Sequence, residues 1–203
     1  LNPCQDQFLD DFSNSGSGWP TDDNSTRQVG YLAGEYRILM KSANTWAGAR
    51  PGVKGTDFRV SVDVRNVNGV DGTYGIIWGL AEDWSQFYTF EISPDGFYRI
   101  WQHDDGTWTL LELDSSSHIN TGTAGNRLKV ERNSSQIKAY VNSQLLTTLT
   151  EGSFIGERHV GLIASTYDPV NLDARFDNFD VCSFSGPLNM IYQPLLMWDA
   201  HRR

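Results

Sequence analysis

Between Phe58 and Val64 every second residue is apolar: Phe58, Val60, Val62 and Val64 alternate with Arg59, Ser61 and Asp63. Side chains of an extended chain point alternately to opposite faces, so this spacing predicts a strand with one face in a core and one in water. The pattern returns at Leu128 and Val130, at Ile137, Ala139 and Val141, and at Val160, Leu162 and Ala164. Turn sequences separate these runs: SPDG at Ser93 to Gly96, DDG at Asp104 to Gly106, and Asn-Ser pairs at Asn133 and Asn142. Asp, Asn and Gly tolerate the positive φ that tight hairpins need. About a dozen strands can be marked in this way, and no segment keeps a helical period. Residues 81–86 offer a short helical turn at most. The chain is expected to be all-β, with two antiparallel sheets packed as a jelly-roll sandwich.

The 203 residues suit one large sandwich, and 39% hydrophobic with 20% charged residues is a globular balance. A net charge of −9 argues against nucleic acid as a partner, because phosphates must be neutralised by Lys and Arg. It argues equally against anionic membrane surfaces. No apolar run approaches the roughly 20 residues of a membrane span.

The two cysteines, Cys4 and Cys182, flank the run of strands. They are either two unrelated buried thiols or one disulfide. A closed sandwich brings its end strands together, which favours the disulfide and with it an oxidising, extracellular compartment. A first residue of Leu rather than Met fits a processed, exported chain. No CxxC or Cys/His cluster points to zinc or redox chemistry.

The succession DDFSNSGSGW, DFRVSVDVR, YGIIWG, YTFEISPDGFYRIW, NRLKVERNSSQIKAYVNSQLL, GERHVGLIAST and ARFDNFDV resembles the concanavalin A-like lectin/glucanase superfamily. More narrowly it resembles laminin-G-like and keto-disaccharide-hydrolase-like domains of exported bacterial proteins. The likeness spans about residues 8–182 and speaks for fold more than for function, since this fold hosts lectins, glycosidases and adhesive domains. In ARFDNFDV, Phe176 and Phe179 are three apart, which breaks strict alternation and suggests a bulge. The resemblance also implies a structural Ca²⁺ between the first and last strands, for which Asp10 and Asp177 are the candidate oxygen ligands. No other cofactor is expected.

The glycosidases of this superfamily carry Glu-x-Asp-x-x-Glu or Glu-x-Asp-x-Glu on one strand. Here Glu112 and Asp114 lack a third acid, and Glu91 is followed by Asp95 in a turn, so binding is expected over catalysis, with a glycoside hydrolase as the enzymatic alternative. The four histidines, His103, His118, His159 and His201, are scattered and read as surface residues. Aromatic residues are the stronger signal, with seven Trp and eight Tyr. Sugars stack their C–H faces on such rings while polar side chains take the hydroxyls. Trp84, Tyr88, Trp101 and Trp108 are the candidate stacking platforms, and Gln102 and Asp104 the hydroxyl partners. The expected function is a secreted, non-catalytic module that binds extracellular carbohydrate.

After a Ser/Gly break at residues 183–186 comes an apolar tail, so the chain divides into a sandwich, 1–182, and a linker with tail, 183–203. Met190, Ile191, Tyr192, Leu195, Leu196 and Trp198 give the tail its apolar character, and Pro187 and Pro194 forbid a regular helix. Three placements are open: against its own sandwich, as a strand added to a second copy, or as a peptide docked elsewhere. The second would make the protein a self-assembling structural subunit.

Overall fold

The computed structural model describes residues 4–168 and 170–190, and the backbone of 195–199. Among these residues there are eighteen strands and no helix, arranged as two nine-stranded antiparallel sheets. The first sheet holds β1 (Asp6–Asp10), β2 (Asp22–Asp23), β3 (Arg27–Leu32), β4 (Glu35–Met40), β7 (Phe58–Asn66), β12 (Asn126–Asn133), β13 (Gln136–Val141), β14 (Gln144–Thr150) and β16 (Leu172–Ser183). The second holds β5 (Trp46–Arg50), β6 (Val53–Gly55), β8 (Thr73–Leu80), β9 (Gln86–Ile92), β10 (Phe97–Asp104), β11 (Thr107–Ser115), β15 (Arg158–Ser165), β17 (Asn189–Met190) and β18 (Leu195–Asp199). The expected dozen falls short because pieces as brief as β2, β6 and β17 carry no alternation long enough to read.

Strand order in the first sheet is β14-β13-β12-β7-β16-β4-β3-β2, with β1 on the C-terminal half of β16. In the second it is β11-β10-β9-β8-β15-β5-β18, with β6 and β17 continuing the edge below β5. The hairpins close where Asn, Ser, Asp and Gly were expected to close them. Asn142 and Ser143 sit at φ 49° and 70°, and Asp105 and Gly106 at 45° and 85°.

Alternation placed the first sheet's inner face correctly. Phe58, Val60, Val62, Val64, Leu128, Val130, Ile137, Ala139 and Val141 are all buried in one core. They pack with Tyr74, Ile76, Trp78, Phe90 and Leu162 of the second sheet. The register of β16 against β7 shifts between Asp177 and Asp180, and Asn178 takes φ 50°. This bulge turns both Phe176 and Phe179 inward, each with no exposed surface.

The second sheet departs from the half-buried expectation. All eight residues of β8 and all five of β5 are buried, so these strands are covered on both faces. The second cover is an outer cluster of Trp46, Ile77, Leu80, Trp84, Phe87 and Ile163, with Trp108 packed against it. The same layers bury two histidines expected at the surface: His103 is 6% and His159 1% exposed.

Cys4 and Cys182 form a disulfide with their Cα atoms 5.4 Å apart. The pairing of β1 with β16 places them together, with Gln7 opposite Cys182. The described residues beyond Ser183 lie along the same sandwich. Phe184 N–H donates to the Asp57 carbonyl, Leu188 is buried against the core, and Asn189 and Met190 pair with Lys54 and Val53. Leu195 to Asp199 then pair with Arg50 to Trp46. Met190 is 44% exposed. Ile191 and Tyr192 lie outside the described residues, as do the side chains of Leu195, Leu196 and Trp198.

Candidate functional site

The hairpin β9–β10 turns at SPDG, and its register sets Arg99 opposite Glu91. Phe90 and Ile100 face the core, so Glu91 and Arg99 stand on the outer face of the second sheet. Around them is a cleft of about 370 Å³. Its floor is Thr73, Glu91 and Arg99, Trp101 and Tyr167 form walls, and Asp71 and Asp95 lie at the mouth. Phe97, Leu110 and Leu113 add an apolar rim and are 47%, 43% and 56% exposed.

The floor is a buried ion pair. Glu91 has no exposed surface and accepts hydrogen bonds from Arg99 Nη2 at 2.9 Å, Thr89 Oγ1 at 2.7 Å, Ser165 Oγ at 3.3 Å and Thr73 Oγ1. Arg99 is 7% exposed, and its Nη2 also donates to Thr73 Oγ1 at 2.6 Å. Burial of a charge is tolerable only with this kind of pairing. The guanidinium lies 5.3 Å from the Tyr167 ring centre and 5.9 Å from that of Trp101, in cation–π range. Its Nε is buried and finds no hydrogen-bond partner among the described residues. Asp71 and Asp95 are exposed; Asp95 accepts the Ser93 hydroxyl. The cleft thus offers a spare donor, two exposed carboxylates and apolar walls to a polar ring.

Only part of the expected set meets here. Trp101 lines the cleft, and Trp108 stands edge-on to it at 6.2 Å. Trp108 also packs on Trp46, Phe87 and His103, which ties the cleft to the outer cluster. Trp84 is 3% exposed, with its ring laid over Gly48 and 5.6 Å from the Arg50 guanidinium, so it offers no open face. Tyr88 faces the core, stacked on Trp78 at 5.5 Å and beside Phe154, and burial raises its pKa well above the usual phenol range. Gln102 pairs with Tyr88 across the strands, on the face opposite Trp101. Asp104 is exposed at the far end of β10 and accepts from Gln86 Nε2 at 2.9 Å. Neither lines the cleft. Glu112 accepts from Thr147 Oγ1 at 3.2 Å, also outside it.

Glu91, Arg99, Asp71, Thr73 and Tyr167 were missed as site residues. The pair Glu91/Arg99 was readable in principle, because a tight SPDG turn fixes the register and both positions fall on the non-core phase. Asp71, Thr73 and Tyr167 arrive from other strands and leave no local trace.

Asp10 is a structural residue in this fold. Its Oδ1 accepts the Phe12 N–H at 2.8 Å and its Oδ2 the Trp19 indole N–H at 2.9 Å. Asp177 Oδ1 accepts the Asn178 N–H at 2.7 Å, and its pKa is raised by burial and by the nearby Asp63, Glu35 and Asp11. Among the described residues no group of three or more His, Cys, Asp or Glu is arranged to hold a metal ion. The Asp10/Asp177 calcium site therefore stays an expectation drawn from the resemblance alone.

The layered sheets and strand order define a concanavalin A-like sandwich. No protein-family model and no curated protein sequence matches the chain. Among solved structures it is similar to a carbohydrate binding module, CBM66, from Bacillus subtilis: TM-score 0.58, 18% identity, 82% of this chain and 96% of that one. It is similar to a Bacillus subtilis protein of unknown function with a galectin-like fold: TM-score 0.67, 8% identity, 88% and 95% covered. A xylan β-1,4-xylosidase from Bacillus halodurans matches with TM-score 0.60 and 15% identity over 86% of this chain but 38% of the enzyme.

Proposed function

We propose that the protein is an exported carbohydrate-binding module that holds its ligand in the cleft over Glu91 and Arg99. The observation that carries this reading is the floor itself: a buried Arg99 with an unused Nε donor, beside a part-exposed Trp101 and an apolar rim. A sugar ring needs this combination, with directional donors and acceptors for its hydroxyls and apolar surface for its C–H face. The carbohydrate binding module among the similar structures, covered almost end to end, supports the reading. So does the match to 38% of a xylan β-1,4-xylosidase. The disulfide supports an oxidising compartment.

A purely binding role agrees with the state of Glu91, whose oxygens already accept from three hydroxyls and a guanidinium. The reading is tested by affinity electrophoresis against soluble polysaccharides with Trp101→Ala and Arg99→Met. Loss of retention in both, with unchanged far-ultraviolet circular dichroism, is the expected result. Retention equal to the parent chain in both would overturn it.

A further inference from the structure

Resting on that reading, we propose that the cleft selects uncharged sugars and rejects acidic ones, and that Asp71 and Asp95 set this preference. An arginine at the floor of a sugar cleft would by itself invite a carboxylate. Arg99 does not act as a lone cation, because Glu91 lies 2.9 Å from its Nη2 and both side chains are buried. The positive charge is balanced where it stands. What remains for a ligand are the guanidinium N–H groups not turned to Glu91 and Thr73, the buried and unpartnered Nε–H among them, directional donors suited to hydroxyl oxygens.

The mouth carries the opposite charge. Asp71 and Asp95 line it, and neither joins an ion pair among the described residues. A uronate, sialate or sulfate seated over Arg99 would share the cleft with two carboxylates that no ion pair among the described residues compensates. Each repulsion of that kind, partly screened by water, lowers affinity by about tenfold. The chain's net charge of −9 adds a weaker, salt-sensitive repulsion at longer range. An uncharged ring meets no such penalty, and its hydroxyls can donate to both carboxylates.

The test is a glycan array read with the full chain, pairing neutral glycans with uronate, sialylated and sulfated counterparts. It is repeated with the double variant Asp71→Asn/Asp95→Asn; both positions are exposed, so the fold is not at stake. The expected result is neutral glycans bound at least about tenfold more tightly than acidic ones. The ratio of acidic to neutral affinity should rise about tenfold or more in the double variant. A parent chain that prefers acidic glycans, or a ratio the double variant leaves unchanged, overturns the proposal. Binding to no glycan by the folded parent chain overturns the carbohydrate reading itself, and this inference with it.

Discussion

Asp6 Oδ2 accepts the backbone N–H of Leu188 at 2.9 Å, so the first strand of the sandwich holds the start of the tail. Leu188 fills the space above Gly55, and the strands that follow run along β6 and β5 of the same chain. Deleting everything after Gly186 would leave β5 as an open edge, a ready template for a second chain. The shortened protein is expected to associate as concentration rises while the full chain does not, as read by light scattering. A shortened chain that stays monomeric would show that the tail contributes little to that edge.

The Glu91–Arg99 pair predicts an asymmetry in stability. Arg99→Ala removes the guanidinium that balances a fully buried carboxylate, and is expected to cost about 3 kcal/mol in denaturant unfolding. Combining Glu91→Gln with Arg99→Met removes both charges and should recover most of that loss.

The Cys4–Cys182 disulfide spans 178 residues of sequence. In the chain-entropy view, a loop of this size stabilises by about 5 kcal/mol. Cys4→Ser with Cys182→Ser should therefore lower the thermal midpoint by well over ten degrees, or prevent folding. A shift of a degree or two would show that β1 is held by its pairing with β16 alone.

Acid should destabilise the protein in two stages. Burial, with Arg50 and Lys54 nearby, lowers the His159 pKa to about 4. His159 therefore contributes stability that is complete above its unfolded value near 6.5 and lost as pH falls through 4. Its Nδ1 faces the Val53 carbonyl at 3.2 Å and its Nε2 the Glu82 carboxylate at 2.9 Å, so the neutral ring donates to only one of them. Glu82 is itself held at about 2 by hydrogen bonds from Lys54 and His159 and by Arg50, and its contribution is lost as pH falls from 4.5 toward 2. Thermal midpoints should begin to fall below pH 6.5, and His159→Gln should flatten the part of the curve between 6.5 and 4.

Gly48→Ala is expected to disturb the outer cluster. A Cβ there would stand 2.5 Å from Trp84 Cζ3, and Trp84 is already held at φ 64°, an unusual value for a large side chain. The indole would have to move. A loss of about 1–3 kcal/mol and a red shift in tryptophan emission are expected. Unchanged emission would mean that β5 shifts instead.

The sequence was a good guide wherever one strand face was polar. Arg59, Ser61 and Asp63 mark the phase of β7, and the hairpins of β12, β13 and β14 follow from their Asn-Ser turns. It was a poor guide to the second sheet. Gly75, Ile77 and Ile163 look like core residues whichever way they point, so alternation in β8 and β15 could not reveal a second buried layer. The site suffered for the same reason. Trp84 and Tyr88 are aromatic and near turns, as a sugar platform would be, yet one roofs Gly48 and the other faces Trp78. Trp101 reaches the cleft on a local hairpin that the sequence marks, whereas Asp71 and Tyr167 meet it only through the pairing of β8 with β15.

Because the disulfide joins the start of β1 to the end of β16, almost the whole sandwich is a covalent ring. A protease that cuts once in the exposed stretch 120–125 opens that ring without releasing a fragment. Cut and uncut chains then share one mass on a non-reducing gel, apart from the added water, and separate only in reductant. A sandwich clipped at its surface loops can thus keep both halves at hand, and its losses pass unseen until the one sulfur bond is broken.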